Sequence, residues 1–254
     1  MCIRDSISDT SSITNIESDI TTLQSDVSTL QSSSGSSSES SSESSSWNNN
    51  NHSLSFDGAN DKLVVGNVSQ LTGSSLSISA WFNLFATPSG EARIGAGSGY
   101  GDRDWWLQVL DSNTIRFGNG SSIQTFDLSS GTFSLNTWFH VVGIINGTSK
   151  EVFINGTSLG TLTTSHALTS SSNNGDNITI GSLPTAAFGA HSFGGLLDEI
   201  SIFDFALSTS EITSIYNSGV PNDISSLSPV GWWRMGDNDS GSGTTITDQG
   251  SGGN

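Results

Sequence analysis

The sequence predicts an all-β antiparallel sandwich with one short helix, preceded by an N-terminal coiled-coil helix. Three observations support this prediction: short segments of alternating apolar and polar residues, Asn-Gly turns between such segments, and a heptad pattern near the amino terminus. Gly, Ser, Thr and Asn are abundant, which suits short strands joined by tight turns. After the first 46 residues about 200 of the 254 remain, which is enough for one well-buried domain.

Alternating segments run through the middle of the chain. Successive side chains of a strand point to opposite faces, so this alternation predicts strands with one buried face. The segments lie at residues 54–56, 76–82, 113–117, 123–128 and 193–205. A further segment, residues 137–145, is almost continuously apolar and predicts a strand covered on both faces. Two more segments, residues 151–154 and 157–162, flank Asn155-Gly156 and predict a hairpin, because both turn positions favour positive φ.

One helix is predicted close to residue 210. Ser208 and Glu211 have the spacing of a capping box, in which the serine hydroxyl accepts a backbone N–H and the glutamate reaches back to the serine. Ile212 and Ile215 supply its apolar face. Gly219 is expected to end the helix.

A heptad pattern covers residues 13–30 and predicts a coiled-coil stalk, with a partly disordered amphipathic tail as the alternative. The a and d positions are filled by Ile13, Ile16, Ile20, Leu23, Val27 and Leu30. Residues 31–46 are almost all serine and predict a flexible linker, because such a segment buries little apolar surface. We therefore divide the first 46 residues into a leader and stalk at 1–30 and a linker at 31–46.

Composition argues against several classes of partner. The formal net charge is -17, with only 7 Lys+Arg residues, and so acidic a surface repels phosphate backbones and anionic lipid. We expect no nucleic-acid partner. No apolar run approaches the ~20 residues that a membrane-spanning helix needs, so we expect no membrane insertion. Cys2 is the single cysteine, which excludes a disulfide within the chain and a cysteine-based zinc site.

Several motifs resemble those of laminin-G-like domains, which are concanavalin A-like jelly rolls, and they occur in the order of that family. They lie at residues 53–61, 76–82, 136–142, 152–156, 194–204, 206–208, 211–212 and 215–216. The resemblance covers roughly residues 47–222 and implies a jelly-roll sandwich that recognises carbohydrates or glycoconjugates. Residues 223–254 are interpreted as a linker and the truncated start of a second copy, because Gly231-Trp232-Trp233-Arg234 looks like the first strand of such a domain.

The combination of stalk, serine linker and head is similar to phage tail-fibre or other virion appendage proteins, and the domain also occurs in secreted adhesins. This resemblance implies an extracellular or virion location and a homotrimer formed through residues 13–30. By the heptad rule, β-branched residues at a and leucine at d favour a parallel dimer instead. Several weak heads on one stalk would bind by multivalent display. The alternative is a purely structural spacer or assembly domain without a ligand.

The sequence argues against catalysis. Glucanases of the same sandwich class carry Glu-x-Asp-x-Glu on one strand, and no such triplet occurs here. Asp198 and Glu199 are adjacent, so on a strand they point to opposite faces and do not form a catalytic pair. His140 lies within an apolar strand and is interpreted as structural. A polysaccharide-degrading enzyme is therefore the least favoured alternative.

The family resemblance implies a structural calcium ion at the rim of the sandwich. Calcium prefers several oxygen ligands, and carboxylates are the usual donors. The candidate ligands are Asp57 and Asp61, in one turn, and Asp198, near the closing strand. The alternative is that Asp57 only caps its own turn by accepting backbone N–H groups.

A candidate sugar site lies where a glycine-rich loop meets a strand. Sugars bind to aromatic faces and to polar side chains, and both types occur here at Tyr100, Asp102, Arg103, Trp105 and Trp106. On a strand the two tryptophans point in opposite directions, so we expect one in the core and one exposed; the alternative is that both are buried. A second loop, residues 184–191, contains Phe188 and His191 and is an equal candidate. Two further tryptophans, Trp81 and Trp138, are predicted to lie in the core.

Overall fold

The computed structural model describes residues 52–66, 71, 73–97, 105–120, 122–128, 130–165, 167, 178–182, 191–237 and 244–252. The chain divides into two units, Met1–Ser46 and Trp47–Asn254, and every described residue belongs to the second unit. The predicted stalk at residues 13–30 and the predicted linker at 31–46 lie outside the described residues.

The described residues form two antiparallel sheets, here named sheet I and sheet II. Sheet I contains β1 (Leu54–Asp57), β3 (Ser75–Leu84), β8 (Trp138–Asn146), β9 (Ser149–Ile154), β10 (Thr157–Thr163), β12 (Gly194–Phe203) and β13 (Gly231–Trp233). Its order is β1-β12-β3-β8-β9-β10, with β13 also paired to β12. Sheet II contains β2 (Leu63–Gly66), β4 (Ala92–Gly97), β5 (Trp105–Val109), β6 (Thr114–Asn119), β7 (Ser122–Asp127) and β11 (Ile178–Ile180). Its order is β2-β11-β4-β5-β6-β7.

The two sheets enclose a shared apolar core, as expected for a sandwich. Alternate residues of strands in both sheets point into it, including Phe56, Phe82, Ile94, Leu107, Phe117 and Val141. The sheets approach each other closely at Gly143 of β8, where a Cβ atom would lie 2.8 Å from the ring of Phe117 on β6. The all-β antiparallel sandwich predicted from sequence is confirmed.

The outer face of sheet I carries a second apolar cluster, formed with the helix α1 (Thr209–Tyr216) and the segment after it. Val141 and Ile145 of β8 point into the core, whereas Val142 and Ile144 point into this second cluster. The predicted strand with two covered faces is therefore confirmed. The cluster consists of Val142, Ile144, Phe153, Phe203, Leu207, Ile212, Ile215, Ile224 and Trp232.

Helix α1 begins with the predicted capping box. Ser208 Oγ accepts from the backbone N–H of Glu211, and the Glu211 carboxylate accepts from the backbone N–H of Ser208 at 2.7 Å. The helix ends at Tyr216, earlier than the predicted stop at Gly219, because Asn217 already adopts a left-handed conformation with φ 43°. A single 3₁₀ turn, Asn217–Gly219, follows.

The segment after residue 229 belongs to this sandwich. Strand β13 pairs with β12 through Ile200↔Trp233, beyond the part of β12 that β1 covers. Trp233 points into the core and Trp232 into the second cluster, so both faces of the short strand are buried. The sequence interpretation assigned this strand to a second copy of the domain. The apolar sequence of this strand does not specify which other strand it pairs with. In the structure it pairs with β12 of sheet I.

Within the described ranges, no helix has the length and apolar character that a membrane span requires.

Candidate functional site

The outer face of sheet II is polar and aromatic, in contrast to the apolar outer face of sheet I. Along β5, Leu107 and Val109 point into the core, so Trp106 and Gln108 point outward by alternation. Arg93 of β4 lies between two core residues, Ala92 and Ile94, and points outward in the same way.

Three polar residues form one row across this face, which we name the arginine row: Arg93, Gln108 and Arg116. Arg93 is the direct cross-strand partner of Gln108, and Gln108 is the partner of Arg116 on β6. Because neighbouring strands lie about 4.8 Å apart, the two arginines extend from backbone positions roughly 10 Å apart. Gln108 therefore lies between two guanidinium groups.

Glu91 links the two ends of the arginine row. Its Oε2 accepts from Nη2 of Arg93 at 2.9 Å, and its Oε1 accepts from Nη1 of Arg116. Nδ1 of His191 lies 3.0 Å from Oε2 of the same carboxylate. Since the arginines flank Gln108, a carboxylate bound to both lies above β5. One acidic side chain thus serves two guanidinium groups and an imidazole.

Several polar atoms of the arginine row have no hydrogen-bond partner in the described part of the chain. Arg93 is 5% exposed, and its Nε and Nη1 are unpaired. Gln108 is 1% exposed, and both atoms of its amide are unpaired. Such atoms each cost about 1–3 kcal/mol when buried, so they mark a place where water or a ligand completes the structure.

Burial also changes the ionisation of Arg93. The pKa of this guanidinium is lowered to about 10, chiefly by desolvation and in smaller part by the neighbouring Arg116, while Glu91 acts in the opposite direction. Arg93 still carries its charge at neutral pH, because a pKa near 10 leaves it protonated. The arginine row therefore holds a buried positive charge that Glu91 balances only in part.

Trp106 provides an aromatic surface next to the arginine row. The guanidinium carbon of Arg93 lies 5.4 Å from the centre of the Trp106 ring, within the range of a cation–π contact. The cross-strand neighbours of Trp106 are Ala96 and Gly118, whose small size leaves the indole partly exposed. The site therefore combines an aromatic ring with unpaired donors and acceptors.

The neighbouring Trp105 points into the core and is 4% exposed. A Cβ atom on Gly97 would lie 2.2 Å from its Nε1, so the indole requires a glycine at that position. Trp105 is buried and Trp106 is half-buried, which lies between the expected arrangement, one tryptophan in the core and one exposed, and the alternative in which both are buried. Trp105 supports the sheet from the interior, and ligand contact by Trp106 stays a prediction.

The other residues of the predicted sugar site, Tyr100, Asp102 and Arg103, lie outside the described residues, as does Phe188. His191 of the second candidate loop contacts Glu91 and so belongs to the face of sheet II. Sequence reasoning missed Glu91 and the arginine row. The available signal was a charged residue between two apolar strand residues, as in Ala92-Arg93-Ile94 and Ile115-Arg116-Phe117.

The three predicted calcium ligands do not lie together. Oδ1 of Asp57 accepts from the backbone N–H of Ala59 at 2.7 Å, and Oδ2 of Asp61 accepts from the backbone N–H of Asp57 at 2.9 Å. The predicted turn cap is therefore present. Asp198 is buried four residues along β12 from Gly194, the partner of Asp57, which corresponds to roughly 13 Å.

No group of three or more His, Cys, Asp or Glu suited to a metal ion occurs within the described residues. Calcium binding stays a prediction, now limited to the turn that contains Asp57 and Asp61.

His140 is a structural histidine, as predicted. It is fully buried, its Nε2 lies 2.8 Å from Oγ of Ser79, and its ring stacks on Tyr216 of α1 at 5.9 Å. Burial lowers the pKa of His140 to about 3, so the ring is neutral near pH 7. Trp81 packs beside it at 5.0 Å and is buried, as predicted.

The prediction that Trp138 lies in the core is wrong. This residue is 36% exposed, because it is the first residue of β8 and lies where the strand enters from solvent.

Solved structures with the same fold include several proteins whose names refer to carbohydrates. A Bacteroides ovatus protein provisionally named a carbohydrate binding protein aligns with a TM-score of 0.59 at 15% identity, over 78% of this chain and 55% of that chain. A heptameric SAP-like pentraxin from Limulus polyphemus aligns with a TM-score of 0.50 at 17% identity, over 65% of this chain and 81% of that chain.

The Ruminococcus gnavus IT-sialidase CBM40, bound to α2,3 sialyllactose, aligns with a TM-score of 0.50 at 12% identity, over 65% of this chain and 96% of that chain. At these identities the likenesses show a shared fold. No curated protein sequence matches this chain. A family model does match, over residues 57–213, which is more than half of the chain. The chain therefore belongs to the concanavalin A-like lectin/glucanases superfamily, laminin-G type.

Proposed function

We propose that this sandwich is a non-catalytic carbohydrate-binding module whose ligand lies on the outer face of sheet II. The observation that carries the proposal is the set of unpaired buried polar atoms on Arg93 and Gln108 beside the partly exposed ring of Trp106. Sugars bind where an aromatic face packs against C–H groups and polar side chains meet hydroxyls. This face supplies both elements.

The similar structures support the proposal at the level of the fold. The pentraxin, the Bacteroides ovatus protein and the sialidase CBM40 share this sandwich, and the CBM40 is bound to a sialylated sugar. A shared fold does not transfer a ligand or a site, so the assignment to this chain rests on its own residues. Those residues are the arginine row, Glu91 and Trp106.

The carboxylates that contact arginines are not arranged as a catalytic pair. A glycoside hydrolase needs two carboxyl groups about 5–9.5 Å apart on either side of an accessible glycosidic bond. Glu199 and Asp237 both lie near Arg234, but all three are buried below the surface of sheet I. Glu91 is held by two arginines.

The wider setting of the module is part of the proposal. A stalk at residues 13–30 would join heads into a homotrimer or dimer, as in a virion appendage or a secreted adhesin outside the cell. Weak individual sites on such a stalk gain avidity, because binding by one head raises the effective concentration of the next. A structural calcium ion at Asp57 and Asp61 is also proposed; a melting temperature that a chelator leaves unchanged would remove it.

A glycan array followed by titration calorimetry tests the proposed function. The wild-type chain is expected to bind at least one glycan, and Trp106→Ala is expected to weaken that binding by at least about tenfold, or about 1.4 kcal/mol. Trp138→Ala is the matched control, because it removes a partly exposed tryptophan from sheet I. A blank array in the presence of calcium would contradict the proposal and favour a structural spacer.

A further inference from the structure

The charges of the arginine row and Glu91 do not balance. Two guanidinium groups, on Arg93 and Arg116, share the single carboxylate of Glu91, with His191 as an additional contact. Within this hydrogen-bonded group, two guanidinium charges face one carboxylate charge, in a chain whose formal net charge is -17. A buried cation is stable only when an anion compensates it. The two guanidinium groups thus carry one more charge than the carboxylate that they share, and a further anion could bind to them.

Glu91 is placed where a ligand anion would bind both arginines. Its carboxylate contacts one nitrogen of each guanidinium and lies above Gln108. Glu91 itself precedes β4 and follows Pro88-Ser89-Gly90, so its backbone is outside the strand ladder. Its side chain remains 22% exposed. Glu91 therefore reaches the space between Arg93 and Arg116 from outside the strand ladder. A bound molecule would also approach the two arginines from outside the sheet.

We propose that the carboxylate of Glu91 occupies the position of a ligand's anionic group, and that this face binds glycans carrying a carboxylate or a sulfate. The inference rests on the proposed function and specifies its ligand class. In the complex, the ligand anion contacts Arg93 and Arg116 in place of Glu91. The planar guanidinium fork suits carboxylate and sulfate oxygens, since it donates two parallel hydrogen bonds.

The unpaired atoms favour an anionic sugar over a neutral one. Nε and Nη1 of Arg93 are charged donors, and a carboxylate or sulfate oxygen accepts from them more strongly than a sugar hydroxyl does. The amide of Gln108 is buried and offers both a donor and an acceptor, so a sugar that displaces the Glu91 side chain could bind it with an anionic oxygen and a hydroxyl hydrogen. An acidic sugar therefore satisfies all of these atoms together.

Matched pairs of oligosaccharides test the inference on the wild-type chain by titration calorimetry. One pair is an oligogalacturonate and its methyl ester, and the other is a sulfated galactan oligosaccharide and its desulfated form. We expect the anionic member of at least one pair to bind at least about tenfold more tightly than its neutral partner. The pair that shows the preference identifies carboxylate or sulfate as the group recognised.

Different binding results would contradict the anionic ligand class and carbohydrate binding itself. Equal binding of both members, or binding confined to neutral glycans on the array, would overturn the anionic assignment and leave carbohydrate binding intact. Binding of no glycan at all would contradict both.

Two variants test the role of Glu91. Glu91→Gln keeps the shape of the side chain but removes its charge, so it should melt at a lower temperature than wild type in the absence of ligand. Inorganic sulfate and the preferred anionic oligosaccharide should then raise the melting temperature of this variant more than that of wild type. Glu151→Gln, on β9 of sheet I, is the charge-matched control and should respond as wild type does.

An equal or smaller response of Glu91→Gln to these anions would contradict the substitution of Glu91 by a ligand anion. If Glu91→Gln does not melt cooperatively, Arg116→Gln carries the test, because its side chain is 27% exposed. This variant should lose the preference for the anionic oligosaccharide, and a retained preference would overturn the proposal.

Discussion

Nε of Arg234 lies 2.9 Å from Oε1 of Glu199, and this buried ion pair joins the segment after β13 to β12. Nε1 of Trp232 donates to the other carboxylate oxygen at 2.6 Å. Glu199 has a positive φ of 46° and lies where the register of β12 shifts against β3. Burial raises the pKa of Glu199, and the contacts with Arg234 and Trp232 oppose this rise. Arg234 and Trp232 thus favour the ionised form of a carboxyl group whose ionisation burial disfavours.

Arg234→Met is expected to lower the free energy of unfolding by about 3–5 kcal/mol near pH 7, because Glu199 is left as an uncompensated buried charge. Without Arg234 the folded-state pKa of Glu199 rises further. A raised carboxyl pKa favours the fold below the unfolded-state pKa, and that contribution is lost as pH rises through the folded-state pKa. The defect should therefore be smaller at pH 5 than at pH 7.5 in urea unfolding.

The exposed Lys62 provides the control for this prediction. Lys62→Met should change the stability by less than about 0.5 kcal/mol at either pH. A loss in Arg234→Met that is the same at both pH values would show that the charge of Glu199 is not its cause.

His140 should make the protein less stable in mild acid. Its pKa of about 3 in the fold lies below the ordinary value of 6.5, so its contribution is fully present above pH 6.5 and is lost as pH falls towards 3. At pH 5 the loss relative to pH 7 should be about 2 kcal/mol. His140→Gln retains an amide near Ser79 and should reduce this difference in denaturant titrations. An unchanged pH dependence would contradict the assignment.

Gly143→Ala should lower the free energy of unfolding by about 1–3 kcal/mol, because the new methyl group lies 2.8 Å from the Phe117 ring and both sheets must adjust. Gly73→Ala is the control, since its nearest neighbour is the carbonyl oxygen of Asp204 at 3.5 Å. The measurement is the urea midpoint of both variants. Equal midpoints would mean that the sheets are not in close contact at Gly143.

Trp233→Ala should lower the free energy of unfolding by about 3–5 kcal/mol, because its ring is 2% exposed within the core. If residues 230–237 belonged instead to a separate copy of the domain, this change would leave the sandwich unaffected. Trp138→Ala, which removes a partly exposed ring, should cost much less. Thermal melting of the two variants distinguishes the possibilities.

Much of the fold follows from local patterns in the sequence. Alternation predicted strands at β1, β3, β6, β7 and β12, and the hairpin of β9 and β10 followed from Asn155 and Gly156, whose φ values are 49° and 75°. Strands β2, β4 and β11 were not predicted, and β13 was predicted as a strand but was assigned to a second copy of the domain. Each is short or rich in glycine, so its pairing depends on distant partners and not on its own pattern.

The candidate site was less accessible to prediction than the fold. The opposite orientations of Trp105 and Trp106 followed from alternation alone. The contact of Glu91 with Arg116 joins residues 25 positions apart, through the pairing of β4, β5 and β6. Cross-strand register sets this contact, and a single sequence does not reveal register between strands that are not joined by a tight turn.

The most direct test of a ligand on sheet II is the indole ¹⁵N–¹H resonance of Trp106 during titration with a glycan that the chain binds. The resonance can be assigned by its absence in Trp106→Phe. The account predicts that the Trp106 resonance shifts with saturation while that of Trp138, on sheet I, does not. A shift confined to Trp138, or binding with no change at Trp106, would contradict it.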